Sequence, residues 1–458
     1  MKKFLAIVLA CVMVFAMSAT AFGETGATTV ADANKDADIY SWIVNEDTSI
    51  SGTVRFYIPF NGKQGMDAMI AEFNEIYPNI TVELNTYNNN TEGNMALSTA
   101  IMAGECDVVA SFEIHNLMNR LNNGLYVDIT DRVAAENISL MDNWGTEAYN
   151  VNGKTYVLPC GGLTHYVAIN LDAWNEAGLG ELPTEWTWDE YIEASRAMTK
   201  YAADGTTEVY GGSNYQVIAD LLDMVYQVKG CNRFYTEDGS CVFAEQFVKD
   251  AIQKFIDAED EGVWFPLDTY RADDYKSWFA YTDGKVASTV SCNLARFIRD
   301  TETYPLDHLT AFAPYPTLEE GQTNYESGVN YFSFAGIARN CQDEEAAWAF
   351  TKWYSTYGSK YLTIAGHQST WAGTDGSALV SLIFGSEEDA AKIIDVPSFK
   401  QWVGNPANPS SYDNMSAGYS EMNSIWNEYV MYAYTGDMTV DEALDAAAEL
   451  GNEAIAEG

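Results

Sequence analysis

Residues able to grip a small polar molecule stand at the ends of two predicted strands. Phe60 and Asn61 follow the run TVRFYI (Thr53–Ile58), and Ser111, Phe112 and Glu113 follow DVVA (Asp107–Ala110). A ring face beside amide, hydroxyl and carboxylate groups suits reversible binding: the ring covers apolar C–H surface, and the polar groups donate and accept hydrogen bonds. Covalent or acid–base chemistry has less to work with. There is no Gly-x-Ser-x-Gly elbow and no His-Glu-x-x-His helix. The four histidines, His115, His165, His308 and His367, are isolated along the chain, which is the pattern of structural or surface residues. The cysteines lack zinc-ligand spacing, and no Asp-x-Asp-x-Asp-Gly loop offers a calcium site. Neither a metal nor a cofactor is expected.

Such residues need a scaffold that gathers strand ends. Thr53–Ile58 reads as a buried strand. Gly65 opens a helix whose Met66, Met69, Ile70, Phe73 and Ile76 share one face, and Pro78 stops it. Ile80, Val82 and Leu84 alternate as a second strand, and a helix over about Met95–Ala103 leads into the third. Strand and helix alternating at this spacing predict a parallel, doubly wound α/β sheet. Ligands of such sheets sit beyond the carboxyl ends of the strands, where Phe60, Asn61, Ser111 and Glu113 lie. Further on, Phe247, Val248, Ala251, Ile252, Phe255 and Ile256 form an amphipathic core stripe. Thr187 with Glu190, and Thr439 with Glu442, have capping-box spacing at two helix starts.

A chain of 458 residues exceeds one ordinary core, so two or more domains are expected. Its 47% hydrophobic content can fill them. The net charge of −42 repels phosphate backbones and anionic lipid, which argues against nucleic acid as a partner. A solvated acidic surface on a secreted protein accounts for that charge most simply. Lys2 and Lys3 precede an apolar run, Phe4–Met17, and small residues follow, which predicts a signal peptide over residues 1–23. Val8-Leu9-Ala10-Cys11 is similar to a lipoprotein box, but Cys11 lies inside the apolar run. An extracellular or cell-envelope location follows, periplasmic if the cell has two membranes. Residues 24–50 read as a flexible lead or tether, with order expected near Gly52. Cys231 and Cys241 flank a predicted hairpin turn, RFYTEDGS, and could form a local disulfide or remain free thiols.

Several stretches together resemble a known family. They are Phe73–Ile80 followed by Val82, Ala103-Gly104-Glu105-Cys106-Asp107-Val108, and Gly153-Lys154 through Pro159 with Asn170, Asp172 and Trp186-Thr187-Trp188. Gly284-Lys285-Val286-Ala287, Ala346–Phe350 and Gly436–Leu444 complete the set. In this order they resemble the extracellular solute-binding proteins of ABC importers, especially the carbohydrate-binding, maltose-binding-protein-like branch. The resemblance implies a two-lobe, periplasmic-binding-protein-like fold with a ligand cleft. Lobe one would hold 51–163 plus 312–366, and lobe two 164–311 plus 367–458. A monomer that closes on a mono- or oligosaccharide and delivers it to the transmembrane subunits of an ABC permease is the implied function, without catalysis.

A sugar offers hydroxyl rims and apolar faces, so aromatic platforms and two-way hydrogen-bonding groups are the candidates. Beside Phe60, Asn61, Ser111 and Glu113, the resemblance implies Asn214 and Tyr215 after Tyr210-Gly211-Gly212-Ser213. It also implies Asn330 and Tyr331 on the returning segment, and Gln368 and Trp371 on the last crossing. Ser291-Cys292-Asn293-Leu294 lacks the Trp that family members often carry there, leaving Asn293 to hydrogen-bond and Trp278 to supply a ring from nearby. Trp186 and Trp188 are expected to pack. Two rival readings are the same fold holding a polyamine or peptide, and a secreted glycoside hydrolase, which needs two carboxylates about 5–10 Å apart.

Overall fold

The computed structural model describes residues 41–458, except 148, 150, 152, 215–217, 273–274, 375, 405–408, 416 and 458. The predicted signal peptide and most of the predicted tether lie outside the described residues.

Strand β1 (Gly52–Pro59), helix α1 (Met66–Ile76), β2 (Ile80–Tyr87), α2 (Thr91–Met102), β3 (Val108–Phe112) and α3 (Ile114–Asn122) open the chain. α1 starts at Gly65 in the left-handed region and buries Met66, Met69 and Phe73. α2 begins earlier than the apolar pattern predicts because the Asn90 side chain accepts from the Gly93 N–H and caps it. After a helical stretch the chain forms β4 (Val157–Leu163) and then β5 (Tyr166–Asn170). α4 (Trp188–Met198), a hairpin of β6 (Lys200–Tyr201) and β7 (Thr207–Val209), α5 (Gln246–Asp260), β8 (Ser288–Ser291) and β9 (Thr310–Pro314) come next. The chain returns through β10 (Asn330–Ile337), α6 (Glu344–Tyr354) and β11 (Gln368–Ser369), and ends on α7 (Tyr419–Tyr434) and α8 (Val440–Glu457). Both predicted capping boxes form, at Thr187 and Thr439.

Six strands make one sheet, in the order β11-β4-β10-β3-β1-β2, and β5 lies between β8 and β9 in a second. Only β2, β1 and β3 are parallel; β10, β4 and β11 pair antiparallel, as do β8 and β9 with β5. The first sheet is therefore mixed, and doubly wound only over its first three strands. The segments from β10 to β11 come back from the far end of the sequence to complete it.

β9 pairs with β5 through Pro314, past residue 312, where the first half was expected to resume. The Phe312 ring, wholly buried against Tyr166 and Phe399 at 5.2 Å each, holds it there. Order also begins before residue 50. Trp42 and Ile43 are buried, and the buried Lys352 ammonium donates to the Trp42 carbonyl, to Asn45 Oδ1 and to Glu136 Oε2.

The Ala103–Val108 landmark has a structural cause. Asp107 is buried and accepts from Arg55 Nε at 2.7 Å, Arg55 Nη2 at 2.8 Å, the Arg55 N–H at 2.9 Å and the Gln342 N–H at 3.0 Å. One carboxylate thus ties β1, β3 and the turn after β10. Burial raises its pKa, but the Arg55 guanidinium and the two backbone N–H donors outweigh that and hold it below the usual carboxylate range. Its stabilisation is present above the unfolded-state pKa and is lost as pH falls through the lower folded value. Among the described residues, none of the six cysteines forms a disulfide. The Thr236–Ser240 turn forms as predicted, but Cys231 bridges to Tyr412 while Cys241 sits across from Tyr235.

Asp107→Asn keeps the shape but leaves Arg55 without its counter-charge. It is expected to lower unfolding stability by roughly 3 kcal/mol in urea titrations, and a change below about 1 kcal/mol would show that the pair is not structural.

Candidate ligand-binding cleft

The link from β4 to β5 is Thr164-His165, and the return from β9 to β10 runs beside it, with the His165 N–H donating to the Glu326 carbonyl at 3.0 Å. The two crossings between the sheets therefore run side by side. The predicted site residues distribute along that seam unevenly.

On the first half, Phe60 and Asn61 stand exposed on a tight turn beyond β1, with the Phe60 ring 57% accessible. Gly62 lets this turn sit on Phe112, since a Cβ there would lie 2.5 Å from the Phe112 ring. Glu113 follows β3 with φ +68°, a region disfavoured for any side-chain-bearing residue. Its N–H donates to the Phe332 carbonyl at 2.8 Å, and Oε1 accepts from Asn89 Nδ2 at 2.9 Å. Burial, only partly offset by the Asn89 hydrogen bond and the Arg233 charge, raises its pKa to about 7. His115 Nε2 lies 3.3 Å from Glu113 Oε2. Its imidazole pKa falls to about 4 through burial and the Arg233 and Arg120 charges, which keeps it neutral. Ser111 has another role: its hydroxyl is buried between Tyr126 Oη at 2.7 Å and Arg120 Nη1 at 2.6 Å.

On the second half, Asn214 is 4% exposed, and neither its Nδ2 nor its Oδ1 has a hydrogen-bond partner. The strand-like segment before it lies along β8, through Val290 N–H to the Ser213 carbonyl and Ser213 Oγ to Thr289 Oγ1 at 2.6 Å. β8 leads to Asn293, whose Oδ1 is also buried and unpartnered. Asn293 touches the first half at Gly366, where φ is +92° and a Cβ would lie 2.9 Å from the Asn293 Cβ. The next residue, His367, packs its ring on Phe112 and Phe332 at 4.6 and 5.2 Å, and its Nδ1 is buried without a partner. Burial and then Arg296 drive its pKa down to about 3, so the ring is neutral. Tyr215 lies outside the described residues.

The other candidates are occupied within the protein. Asn330 donates to Glu326 Oε1 at 2.7 Å and accepts from Ser411, bridging the return to the strap before α7. Tyr331 donates to the Trp144 carbonyl and meets Tyr149 edge-on at 5.7 Å. Gln368 is buried in β11 opposite Gly162. The Trp371 ring is 4% exposed, packs on Tyr357 at 4.8 Å and donates to Asn143 Oδ1 at 3.1 Å. Trp278 stacks on Phe297 at 5.2 Å. Trp186 and Trp188 pack as expected, Trp186 donating to the Pro314 carbonyl at 2.7 Å.

Sequence reasoning missed His367, Asn89 and the pair Arg233 and Tyr419. The Tyr419 ring stacks on His115 at 5.6 Å, closing the seam opposite Glu113. Arg233 Nη1 donates to the buried Asp223 at 2.6 Å. No local motif marks these residues, because each acquires its place through contact with a distant segment.

Comparisons with known proteins agree with this architecture. Residues 60–361 match the family model described as bacterial extracellular solute-binding protein. Among solved structures, a sugar transporter from Rhizobium etli in an open conformation matches with TM-score 0.70 at 14% identity, covering 87% of this chain and 99% of its own. An ABC substrate-binding protein from Listeria monocytogenes in complex with cycloalternan gives 0.69 at 16%, covering 89% and 100%. A cyclic α-maltosyl-1,6-maltose binding protein from Arthrobacter globiformis gives 0.65 at 20%, covering 89% and 100%. At these identities the likeness establishes a shared two-lobe fold. With the family model spanning about two thirds of its length, this chain belongs to the bacterial extracellular solute-binding proteins.

Proposed function

We propose that the chain captures a mono- or oligosaccharide between its two lobes and presents it to the transmembrane subunits of an ABC permease. The observation that carries this is Asn214, a buried amide with both polar atoms unpaired, together with the unpaired Asn293 Oδ1 and His367 Nδ1. Buried amides left unpaired are costly, and hydroxyls that both donate and accept are suited to satisfy them. Glu113, held in a strained backbone, adds an acceptor from the opposite lobe. The structural relatives include proteins bound to cycloalternan and to mannitol, which favours a neutral carbohydrate over a polyamine or peptide.

In this account the lobes follow the sheets. Lobe one is built on β1–β4, β10 and β11, and lobe two on β5–β9 and the C-terminal helices, with closure about the adjacent crossings as the working motion. The predicted signal peptide exports the protein, which acts as a monomer outside the cell. The ligand leaves unchanged, so purified protein is expected to release no aglycone from aryl glycosides.

A sugar, polyamine and peptide panel tests the ligand class. The matching sugar at about 100 times its dissociation constant should stabilise the fold by roughly 2.7 kcal/mol. A response to polyamines with none to sugars would overturn the assignment. Asn214→Ala should weaken sugar affinity at least tenfold in calorimetric titration yet leave the unliganded protein no less stable, because it removes an unpaired amide rather than a satisfied one. An equal loss of stability would make Asn214 a packing residue.

Glu113 gives a pH signature. Its folded pKa is raised, so the folded state holds that proton more tightly, and its contribution to stability falls as pH rises from about 4.5 to about 7. Thermal scans of the unliganded protein should lose that component in Glu113→Gln. An identical pH profile in the variant would contradict it.

A further inference from the structure

We propose that His165, Asp223 and Glu326 form a binding site for one divalent transition-metal ion at the crossing between the lobes, a site separate from the sugar-binding groups. One ligand-type atom from each of these residues lies within 4.8 Å of the others. His165 comes from the β4–β5 crossing, Glu326 from the return crossing and Asp223 from the second lobe. The three side chains are 7%, 1% and 0% exposed for His165, Asp223 and Glu326, which removes solvent as an alternative partner.

Two independent observations point to a cation there. The first is directional. His165 Nδ1 and Glu326 Oε2 approach to 2.5 Å, yet neither atom makes a hydrogen bond of acceptable geometry. Glu326 Oε1 is already used by Asn330, and Asp223 Oδ1 by Arg233 at 2.6 Å, so each carboxylate is oriented by a neighbour while part of the cluster's ligand capacity remains. Metal bonds to His nitrogen and carboxylate oxygen run about 2.0–2.2 Å, so ligand atoms around one ion stand about 3–4.4 Å apart. A small opening of the His165–Glu326 contact and a small contraction of the rest reach that range.

The second is charge. Asp223, Glu326 and the neighbouring Asp413 are buried; Arg233 Nη1 donates to Asp223, the Arg233 backbone N–H donates to Asp413, and His165 stands against Glu326. Asp220 lies close enough to add negative potential. Three carboxyl groups are thus gathered around one guanidinium and one imidazole, a donor set that a divalent ion can use. Imidazole with two carboxylates suits a borderline ion such as Zn²⁺ or Mn²⁺ better than Mg²⁺, which favours an all-oxygen shell.

The test uses the full chain, freed of metal with EDTA and titrated with ZnCl₂ without sugar. One equivalent should bind saturably, raise the thermal midpoint by several degrees and be reversed by chelator. Glu326→Gln and Asp223→Asn, checked for folding by near-UV circular dichroism, should each lose at least tenfold in affinity. If a variant fails to fold, Co²⁺ added to the wild-type chain decides, since ligation here should give a visible d–d band that Zn²⁺ abolishes. No stoichiometric uptake by the wild-type chain, no Co²⁺ band, or uptake equal in folded variants would overturn the site and leave His165 and Glu326 as a proton-sharing pair. None of these readouts requires sugar binding, so the site can fail while the sugar assignment stands, and the reverse.

Discussion

The two-residue link between β4 and β5 constrains the rest of the molecule. Thr164 and His165 can span only about 7 Å, so the last strand of the first passage through sheet one and the central strand of sheet two cannot separate. The His165 N–H fastens the return crossing alongside. Whatever the lobes do, they do about this point. The carboxyl ends of β1 and β3 and the end of β8 then open toward a common seam, and Glu113, His367, Asn293 and Asn214 follow from that placement.

Within each lobe the energetics are ordinary and strong. Phe56, Phe73, Phe350 and Trp353 interlock at ring separations near 5 Å in the first, and Trp188 packs between Phe255 and Tyr315 in the second. The seam differs in kind. It concentrates a left-handed Glu113, an Asn214 with no partner and a neutral His367, each of which costs stability. Rigid, well-satisfied lobes can tolerate that cost, and in the proposed function a ligand that supplies the missing hydrogen bonds recovers it.

Much of this fold was legible in the sequence because its signals are local. The Gly65 helix start, the Pro78 stop, the alternation at Ile80–Leu84 and both capping boxes depend on neighbours within a few residues, and all appear in the structure. The antiparallel half of sheet one was not legible, since β10 and β11 join β4 from more than 160 residues away. The site divided in the same manner. Strand-end logic pointed to Glu113 and the family resemblance to Asn214 and Asn293, and the proposed site keeps all three. A tryptophan in a polar, glycine-flanked loop looks accessible, whereas Asn143 and Tyr357 enclose Trp371. His367 looked like one more isolated histidine until Phe112 and Phe332 gathered around it.

The central claim is that a sugar lies between the lobes and satisfies the Asn214 amide. A crystal structure of the chain with the sugar that stabilises it most tests this directly. The account predicts ligand density at the seam, with hydroxyls within about 3 Å of both Asn214 side-chain atoms and a further contact to Glu113 from the opposite lobe. Sugar bound on an outer face, or held in the seam with Asn214 still unpaired, would contradict it.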